Sequence, residues 1–212
     1  GVQPTEVVVI GAGTVAEYAV RAALGLGCSV KVFDNSLSRL RRLQTDIGTR
    51  IYTSIIQPKV LAKALMRADV AIGAVRSNLG KTPCIVSDEM VSSMKPGSVI
   101  IDVSIAQGGC FETSKITNHN DPTFVKHDVI HYCVPNIASR VSRTASFALS
   151  NIFSPILLEM GNTGGPKDMI VTDYGFRAGV YIYQGVLTSE VLGKVFDLQF
   201  KDIELILLGS KF

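Results

Sequence analysis

The chain has no tryptophan, only three histidines and few charged residues. These shortages limit the classes of protein to which it can belong. Charged residues make up 18% of the 212 positions, and the net charge is only +3. So small a charge, spread over helical patterns, does not predict a nucleic-acid-binding surface. No apolar run reaches the roughly 18 residues that a membrane-spanning helix requires, and no basic-then-apolar segment opens the chain. The sequence predicts a globular protein with no nucleic-acid partner and no membrane segment.

Metal-binding and disulfide patterns are also missing from the sequence. Cys28, Cys84, Cys110 and Cys133 are far apart, and none belongs to a C-x-x-C pair. No paired histidine spacing accompanies them, so no metal site is predicted. Separated thiols of this kind are typical of reduced, mostly buried side chains, which predicts a cytoplasmic protein.

The most informative stretch begins with four consecutive apolar residues, Val7–Ile10. Such a run is typical of a strand buried on both faces of a parallel sheet. It leads into Gly-Ala-Gly-Thr-Val-Ala, which fits the pattern G-x-G-x-x-A. In that pattern Gly11 permits the tight turn, Gly13 lets a pyrophosphate approach the backbone, and the small Ala16 allows close helix packing. The free amides at the start of the next helix then face the phosphates.

A carboxylate completes this unit. Asp34 follows the second predicted strand and lies 21 residues after Gly13. An acid at this place accepts hydrogen bonds from an adenosine ribose and repels a 2′-phosphate, which favours NAD over NADP. Because strand, glycine turn, helix, strand and acid occur in order, the unit predicts dinucleotide binding. The alternative is a structural turn in some other α/β protein.

Strand and helix patterns alternate as far as residue 134. This alternation predicts an α/β fold with a doubly wound parallel sheet of the Rossmann type, in the order 3-2-1-4-5-6. Ser104–Thr123 is predicted as a long irregular loop, and Pro155 is predicted to kink or break the helical pattern Ser139–Met160. The predicted organisation is a Rossmann domain over residues 1–160 and a C-terminal segment over residues 161–212. The predicted strands are Val7–Ile10, Ser29–Phe33, Arg50–Ser54, Asp69–Val75, Ser98–Val103 and Val129–Val134.

The start of the chain suggests that more protein exists. The chain begins with Gly1 rather than methionine, and the first predicted strand starts almost at once. A dinucleotide-dependent enzyme needs a substrate domain, and neither end of this Rossmann unit is long enough to supply one. We therefore expect the sequence to be part of a longer protein.

Six motifs follow one another along the chain. They are Gly-Ala-Gly-Thr-Val-Ala (11–16), Ile-Gly-Ala-Val (72–75), Met-Lys-Pro-Gly-Ser-Val-Ile-Ile-Asp-Val (94–103), Gln-Gly-Gly-Cys-Phe-Glu (107–112), Pro-Thr-Phe (122–124) and His-Tyr-Cys-Val-Pro-Asn (131–136). In this order they resemble the NAD-binding domain of alanine dehydrogenase and of its relative, the proton-translocating nicotinamide nucleotide transhydrogenase. In that family a preceding domain supplies a substrate-binding Arg and Lys and a catalytic His. The resemblance implies that residues 161–212 pack on such a domain outside this chain.

The resemblance also implies which residues bind the cofactor. Residues 12–15 are expected to cradle the pyrophosphate, Asp34 to hold the adenosine ribose, and Arg39 to lie near the adenine. Residues 74–75 and 103–105 are expected on the ribose and nicotinamide side, and residues 136–137 beside the nicotinamide. The full set is Gly11, Ala12, Gly13, Thr14, Val15, Asp34, Asn35, Arg39, Ala74, Val75, Val103, Ser104, Ile105, Asn136 and Ile137.

One position departs from the family. Where the family has an aspartate directly before Gln-Gly-Gly, this chain has Ala106. That aspartate helps to position the substrate and its attacking water, whereas alanine offers neither a proton nor a charge. Asp102 is a poor substitute because it is expected to be buried at the end of its strand. The departure implies an impaired enzyme or a different reaction, and the catalytic residues stay unassigned.

The resemblance implies an NAD-dependent oxidoreductase that converts L-alanine to pyruvate and ammonia, of which this chain is the cofactor-binding part. By itself the chain is expected to be inactive. One alternative is the NAD(H)-binding component of a transhydrogenase, and another is a non-catalytic NAD-binding module, for which Ala106 is the strongest argument. The resemblance further implies a small amino-acid or keto-acid substrate and a homo-oligomer.

Three further side chains permit a functional and a structural interpretation. His131 alternates with apolar neighbours, which favours a packed histidine over a catalytic one. For Glu112 the alternatives are an acid near the nicotinamide and a carboxylate bound to a backbone amide. Arg76 either contacts a carboxylate or phosphate or is a solvent-exposed side chain.

Overall fold

The computed structural model describes residues 1–77 and 80–209. The chain divides into two compact units, the first formed by Gly1–Ile137 and the second beginning at Ala138. Each unit is described by itself below. The predicted boundary near residue 160, and the packing of the tail on a further domain, stay predictions.

The first unit is built on one seven-stranded sheet with the order β3-β2-β1-β4-β5-β7-β6. All neighbouring strands are parallel except β6 and β7. The strands are β1 Glu6–Ile10, β2 Ser29–Phe33, β3 Tyr52–Ser54, β4 Val70–Gly73, β5 Val99–Asp102, β6 Thr123–Lys126 and β7 Val129–Tyr132. The helices are α1 Thr14–Gly25, α2 Leu37–Ile47, α3 Pro58–Leu65 and α4 Asp88–Ser92, with a 3₁₀ helix over Val103–Gln107.

The central strand β1 supplies both cores of this unit, which explains its unbroken apolar sequence. Val7 and Val9 pack in a cluster with buried residues of α1 and α2. Val8 and Ile10 pack in a second cluster with buried residues of α3 and α4. Successive side chains of a strand point to opposite faces, so a strand covered by helices on both sides needs apolar residues at every position.

The predicted doubly wound fold is confirmed, with one strand missing from the prediction. The six predicted strands lie in the order expected, the sixth being β7. The additional strand β6 pairs antiparallel with β7 at the edge of the sheet. Three of its four residues are exposed, so it lacks the apolar alternation that marks a strand. The turn that joins it to β7 places His127 and Asp128 at φ of 55° and 57°, without the glycine that signals such a turn.

The predicted loop Ser104–Thr123 is wrong at its start, because the 3₁₀ helix occupies Val103–Gln107. Asp102 caps this helix by accepting a hydrogen bond from the Ser104 amide at 3.0 Å. Further along, Phe111 forms an isolated parallel bridge with Val86. Short turns of this kind carry no helical periodicity, so the sequence pattern does not reveal them.

The second unit is mainly helical. Its longest helix, α5, spans Ser142–Asn162 and contains Pro155. Of the two predicted effects of Pro155, the break does not occur, and the kink stays a prediction. Proline removes one amide from the helix, and the carbonyl it frees belongs to the exposed Asn151, where water can satisfy it. The remaining elements are α6 Pro166–Thr172, α7 Tyr174–Ala178, the hairpin strands β8 Ile182–Tyr183 and β9 Val186–Leu187, α8 Glu190–Phe196 and α9 Ile203–Gly209. Within the part of the chain that the structure describes, no helix is long and apolar enough to cross a membrane.

Gly73 lies at a tightly packed position of the first unit. It ends β4, and a Cβ at this position would lie 2.6 Å from Cys110 Sγ, 2.9 Å from Asp102 Oδ1 and 2.9 Å from the Phe111 ring. The loop after β5 therefore packs directly on the backbone of β4. Only a residue without a side chain permits this approach.

We expect Gly73→Ala to destabilise the first unit by about 1–3 kcal/mol, the usual cost of overpacking a dense core. Gly25→Ala is the matched control, because a Cβ there meets nothing within 4 Å in an exposed helix end. Denaturant unfolding of both variants checks the expectation. Equal stability of the two variants would show that the loop after β5 does not pack as described.

Candidate functional site

The turn after β1 is held against the ends of two neighbouring strands. The Gly11 amide donates to the Phe33 carbonyl at 2.7 Å, and the Ala74 amide donates to the Ile10 carbonyl at 2.8 Å. Gly11 has a φ of 112°, a conformation that favours glycine. A Cβ on Gly11 would overlap the Ala74 carbonyl group, whose carbon would lie 2.7 Å away. Glycine at position 11 therefore lets the turn touch β4.

The start of α1 is open and has no side-chain cap. Gly13 is the N-cap residue. A Cβ on Gly13 would meet nothing within 4 Å, so the space next to its Cα is open. Thr14 and Val15 are exposed in the first turn. The first amide bonded within the helix is that of Glu17, which donates to the Gly13 carbonyl at 3.0 Å. The amides before Glu17 point out of a 12-residue helix, which is the arrangement that binds anions.

Asp34 ties this turn to the second strand. Its side chain is buried, at 8% exposure, and accepts two backbone hydrogen bonds. Oδ2 accepts from the Ala12 amide at 2.8 Å, and Oδ1 accepts from the Ser36 amide at 2.7 Å. Each carboxylate oxygen has a second lone pair, so both can still accept a hydroxyl. Asn35 follows Asp34 directly and Arg39 lies in the first turn of α2, and both are exposed.

A cleft of about 240 Å³ opens beyond the glycine turn, at the carboxyl ends of β4 and β5. Open α/β sheets bind their ligands at this edge. The cleft brings together five of the predicted cofactor residues with three others. Its lining is Val15, Ala74, Val75, Arg76, Val103, Ser104, Ala106 and Gln107.

The other predicted cofactor residues lie elsewhere. Gly11 and Ala12 are buried in the turn, and Ile105 is buried at 3% exposure, with its side chain towards Gly109. Asn136, at a φ of 54°, and Ile137 are exposed but do not line this cleft. The cofactor contacts of all these residues stay predictions.

Gln107 is a cleft residue that the sequence analysis did not single out. Its Oε1 accepts from the Ser77 amide and its Nε2 donates to the Ser77 carbonyl, both at 3.3 Å. Ser104 makes a similar link, because its Oγ accepts from the Val75 amide at 3.0 Å. Ser104 and Gln107 are three residues apart, the spacing that puts both on one side of a 3₁₀ helix. Because the sequence does not reveal this 3₁₀ helix, no sequence signal marks Gln107 as a residue of the cleft.

Ala106 and Asp102 have different environments. Ala106 is exposed on the cleft, whereas Asp102 is 1% exposed and does not line it. Asp102 Oδ2 accepts from the Cys110 amide at 3.0 Å and from Ser114 Oγ at 2.7 Å. Burial raises the pKa of Asp102, and the hydrogen bonds from Ser114 and the loop amides oppose that rise. Asp102 therefore organises the loop after β5 and supplies no acid to the lining of the cleft.

Glu112 and His131 have structural roles here. Glu112 Oε2 accepts from the Asp88 amide at the start of α4, at 2.7 Å, as the second of its two interpretations predicted. His131 is fully buried; its Nδ1 lies 2.9 Å from the Val129 carbonyl and its Nε2 lies 2.8 Å from Thr113 Oγ1. Because a carbonyl only accepts, Nδ1 carries the proton and Nε2 accepts from the threonine. The structure therefore favours the packed histidine over the catalytic one.

Burial lowers the pKa of His131 below its ordinary value of 6.5. The unfolded chain therefore takes up a proton at a higher pH than the folded chain, and stability falls as pH drops below 6.5. We expect His131→Gln to be less stable at neutral pH and to show a shallower loss of stability between about pH 5 and neutrality. Urea unfolding at several pH values checks this, and parallel pH curves for the two proteins would contradict it.

The chain is similar to known proteins of one family. A family model described as the C-terminal domain of alanine dehydrogenase and PNT matches residues 1–190. An alanine dehydrogenase from Mycolicibacterium smegmatis is 43% identical over 202 residues, a match covering 95% of this chain and 54% of that protein. A solved structure of L-alanine dehydrogenase has a TM-score of 0.84 at 35% identity, covering 92% of this chain and 54% of that one.

A solved transhydrogenase from Sinorhizobium meliloti shares the fold, with a TM-score of 0.65 at 24% identity, over 74% of this chain and 45% of that one. The chain spans about half the length of the curated relatives it matches. The glycine turn, Asp34 and the neighbouring cleft thus occur in a chain that this family model matches over most of its length. The chain belongs to the alanine dehydrogenase/PNT C-terminal domain family.

Proposed function

We propose that this chain is the cofactor-binding part of an NAD-dependent oxidoreductase of the alanine dehydrogenase type. In this proposal the whole protein converts L-alanine to pyruvate and ammonia. The family implies a nicotinamide cofactor, and the relatives with over 40% identity are named alanine dehydrogenase. A cytoplasmic location and a homo-oligomer stay predictions.

The observation that carries the proposal is the position of Asp34. Its buried carboxylate lies at the end of β2 and is bonded to the Ala12 amide of the glycine turn, beside the open start of α1. One end of this site offers amides to a pyrophosphate, and the other offers carboxylate oxygens to ribose hydroxyls. The negative charge of Asp34 opposes a 2′-phosphate, which supports NAD over NADP.

The cleft beside the turn suits the nicotinamide end of such a cofactor. When bound, the cofactor supplies the hydride chemistry. Val15, Val75 and Val103 offer apolar surface that excludes water from the reacting face. Among the described residues that line the cleft there is no acid and no histidine. Amine oxidation requires proton transfer, so we place the acid–base groups in the part of the protein that lies outside this chain.

Ala106 supports a second candidate, the NAD(H)-binding component of a transhydrogenase. Hydride transfer between two nicotinamides involves no amine and no attacking water, so it does not require an acid at position 106. A non-catalytic NAD-binding module agrees with Ala106 for the same reason. Turnover of the full-length protein distinguishes these candidates.

We expect the protein to bind NADH more tightly than NADPH.

We also expect two glycine variants to differ in their stability and in their affinity for NADH. Gly13→Ala should keep the wild-type stability but weaken NADH binding by roughly tenfold or more, because its methyl group would occupy the space of the pyrophosphate. Gly11→Ala should instead lower the stability by about 1–3 kcal/mol, because of its φ and its contact with Ala74. Calorimetric titration and thermal unfolding measure both effects. Unchanged NADH binding in Gly13→Ala would contradict the binding of the pyrophosphate next to Gly13.

The full-length protein tests the reaction itself. We expect L-alanine to drive NAD reduction, with much slower turnover on NADP, measured by absorbance of the reduced cofactor. Intact NADH binding without alanine-dependent turnover would refute the proposal that the protein is an alanine dehydrogenase. Hydride transfer from NADH to an NADP analogue in the presence of a partner subunit would then favour the transhydrogenase component.

A further inference from the structure

Arg76 is the charged residue of the cleft. The other lining residues are apolar or uncharged, and Arg76 is exposed. Within residues 1–77 and 80–209, no acidic side chain forms an ion pair with Arg76. The guanidinium group therefore adds an uncompensated positive charge to an otherwise neutral site.

The backbone on both sides of Arg76 is anchored. The preceding Val75 amide donates to Ser104 Oγ at 3.0 Å. The following residue, Ser77, exchanges two hydrogen bonds with the Gln107 side chain, each at 3.3 Å. Both anchors belong to the same 3₁₀ helix after β5. Arg76 is thus carried by a fixed segment, which lowers the entropy lost when its side chain binds a ligand.

Ala106 lies between those two anchors and lines the same cleft. An acid at this position would add a negative charge to the cleft that Arg76 lines. The methyl group of Ala106 adds no charge and occupies little of the cleft. Arg76 and Ala106 together make the cleft suitable for an anionic group of a ligand.

The place of Arg76 in the sheet indicates which anion. The glycine turn follows β1 and offers its own amides to a pyrophosphate, whereas Arg76 follows β4 and is tied to the helix after β5. Arg76 is therefore one strand further along the sheet, on the side away from the adenosine-binding Asp34. A guanidinium group binds a carboxylate through two parallel hydrogen bonds.

We propose that Arg76 binds a carboxylate group of the substrate and so helps to determine which oxo or amino acid the enzyme accepts. The proposal rests on the proposed function, because it places the nicotinamide end of the cofactor in the adjoining cleft. The two sources of this carboxylate are the one that every 2-oxo acid carries and the second one of a dicarboxylic acid. Pyruvate and oxaloacetate distinguish them.

The test measures binding of pyruvate and of oxaloacetate to the full-length protein saturated with NADH, by calorimetry without ammonia. We expect Arg76→Gln to weaken binding by about 10- to 100-fold while the Kd for NADH changes by less than about twofold, and Arg76→Lys to be intermediate. Arg41→Gln is the matched control, because Arg41 is exposed on α2 and away from the cleft, and it should bind like the wild type.

Each outcome has a defined meaning. A loss for both acids supports contact with the shared carboxylate, and a loss for oxaloacetate alone supports contact with the second one. Wild-type affinity for both acids in Arg76→Gln, or no binding of either acid by the wild type, overturns the proposal. A parallel loss of NADH affinity overturns it as well, because Arg76 would then serve a cofactor phosphate. Failure of the wild type to bind NADH would instead refute the cofactor assignment, and this proposal with it.

Discussion

The first unit depends on close packing against the glycine backbone at the carboxyl ends of β1 and β4. Gly11 touches the Ala74 carbonyl, and Gly73 touches the loop that follows β5. Neither contact leaves room for a side chain. Because these strand ends are so close, the glycine turn, the segment 74–77 and the 3₁₀ helix meet around one cleft. Without this packing the binding groups would lie on three separate loops.

Two buried aspartates stabilise the loops at the carboxyl ends of the strands through separate sets of hydrogen bonds. Asp34 bonds the glycine turn to the segment after β2, and Asp102 bonds the 3₁₀ helix to the loop that contains Cys110. Both carboxylates accept backbone amides that would otherwise be unpaired in a buried place, where a missing partner costs about 1–3 kcal/mol. They differ in exposure, since Asp34 is 8% exposed whereas Asp102 is 1% exposed. The ligand contact proposed for Asp34 would add to its support of the fold, whereas Asp102 only supports the fold.

The strong sequence signals concern the buried sheet, and the failures concern an exposed strand, a short helix and a pair of residues far apart in sequence. The apolar run Val7–Ile10 and the G-x-G-x-x-A turn predicted the sheet and its central strand correctly, because burial on both faces leaves no alternative composition. The edge strand β6 escaped prediction, since it is exposed and its hairpin turn lacks glycine. The 3₁₀ helix was not predicted, because five residues are too few to show a helical period in the sequence. Gln107 pairs with Ser77, thirty positions earlier, and only the folded chain reveals such a pair.

The double role proposed for Asp34 limits how this site can change its cofactor. A protein engineer who wants NADP would replace the acid with a neutral or basic residue, to admit the extra phosphate. In this protein, replacing Asp34 also removes the acceptor of the Ala12 amide. The turn would therefore lose a stabilising hydrogen bond when it gained a new ligand. A useful redesign must supply another acceptor for that amide. On the proposed function, cofactor choice and the stability of the turn therefore depend on the same carboxylate.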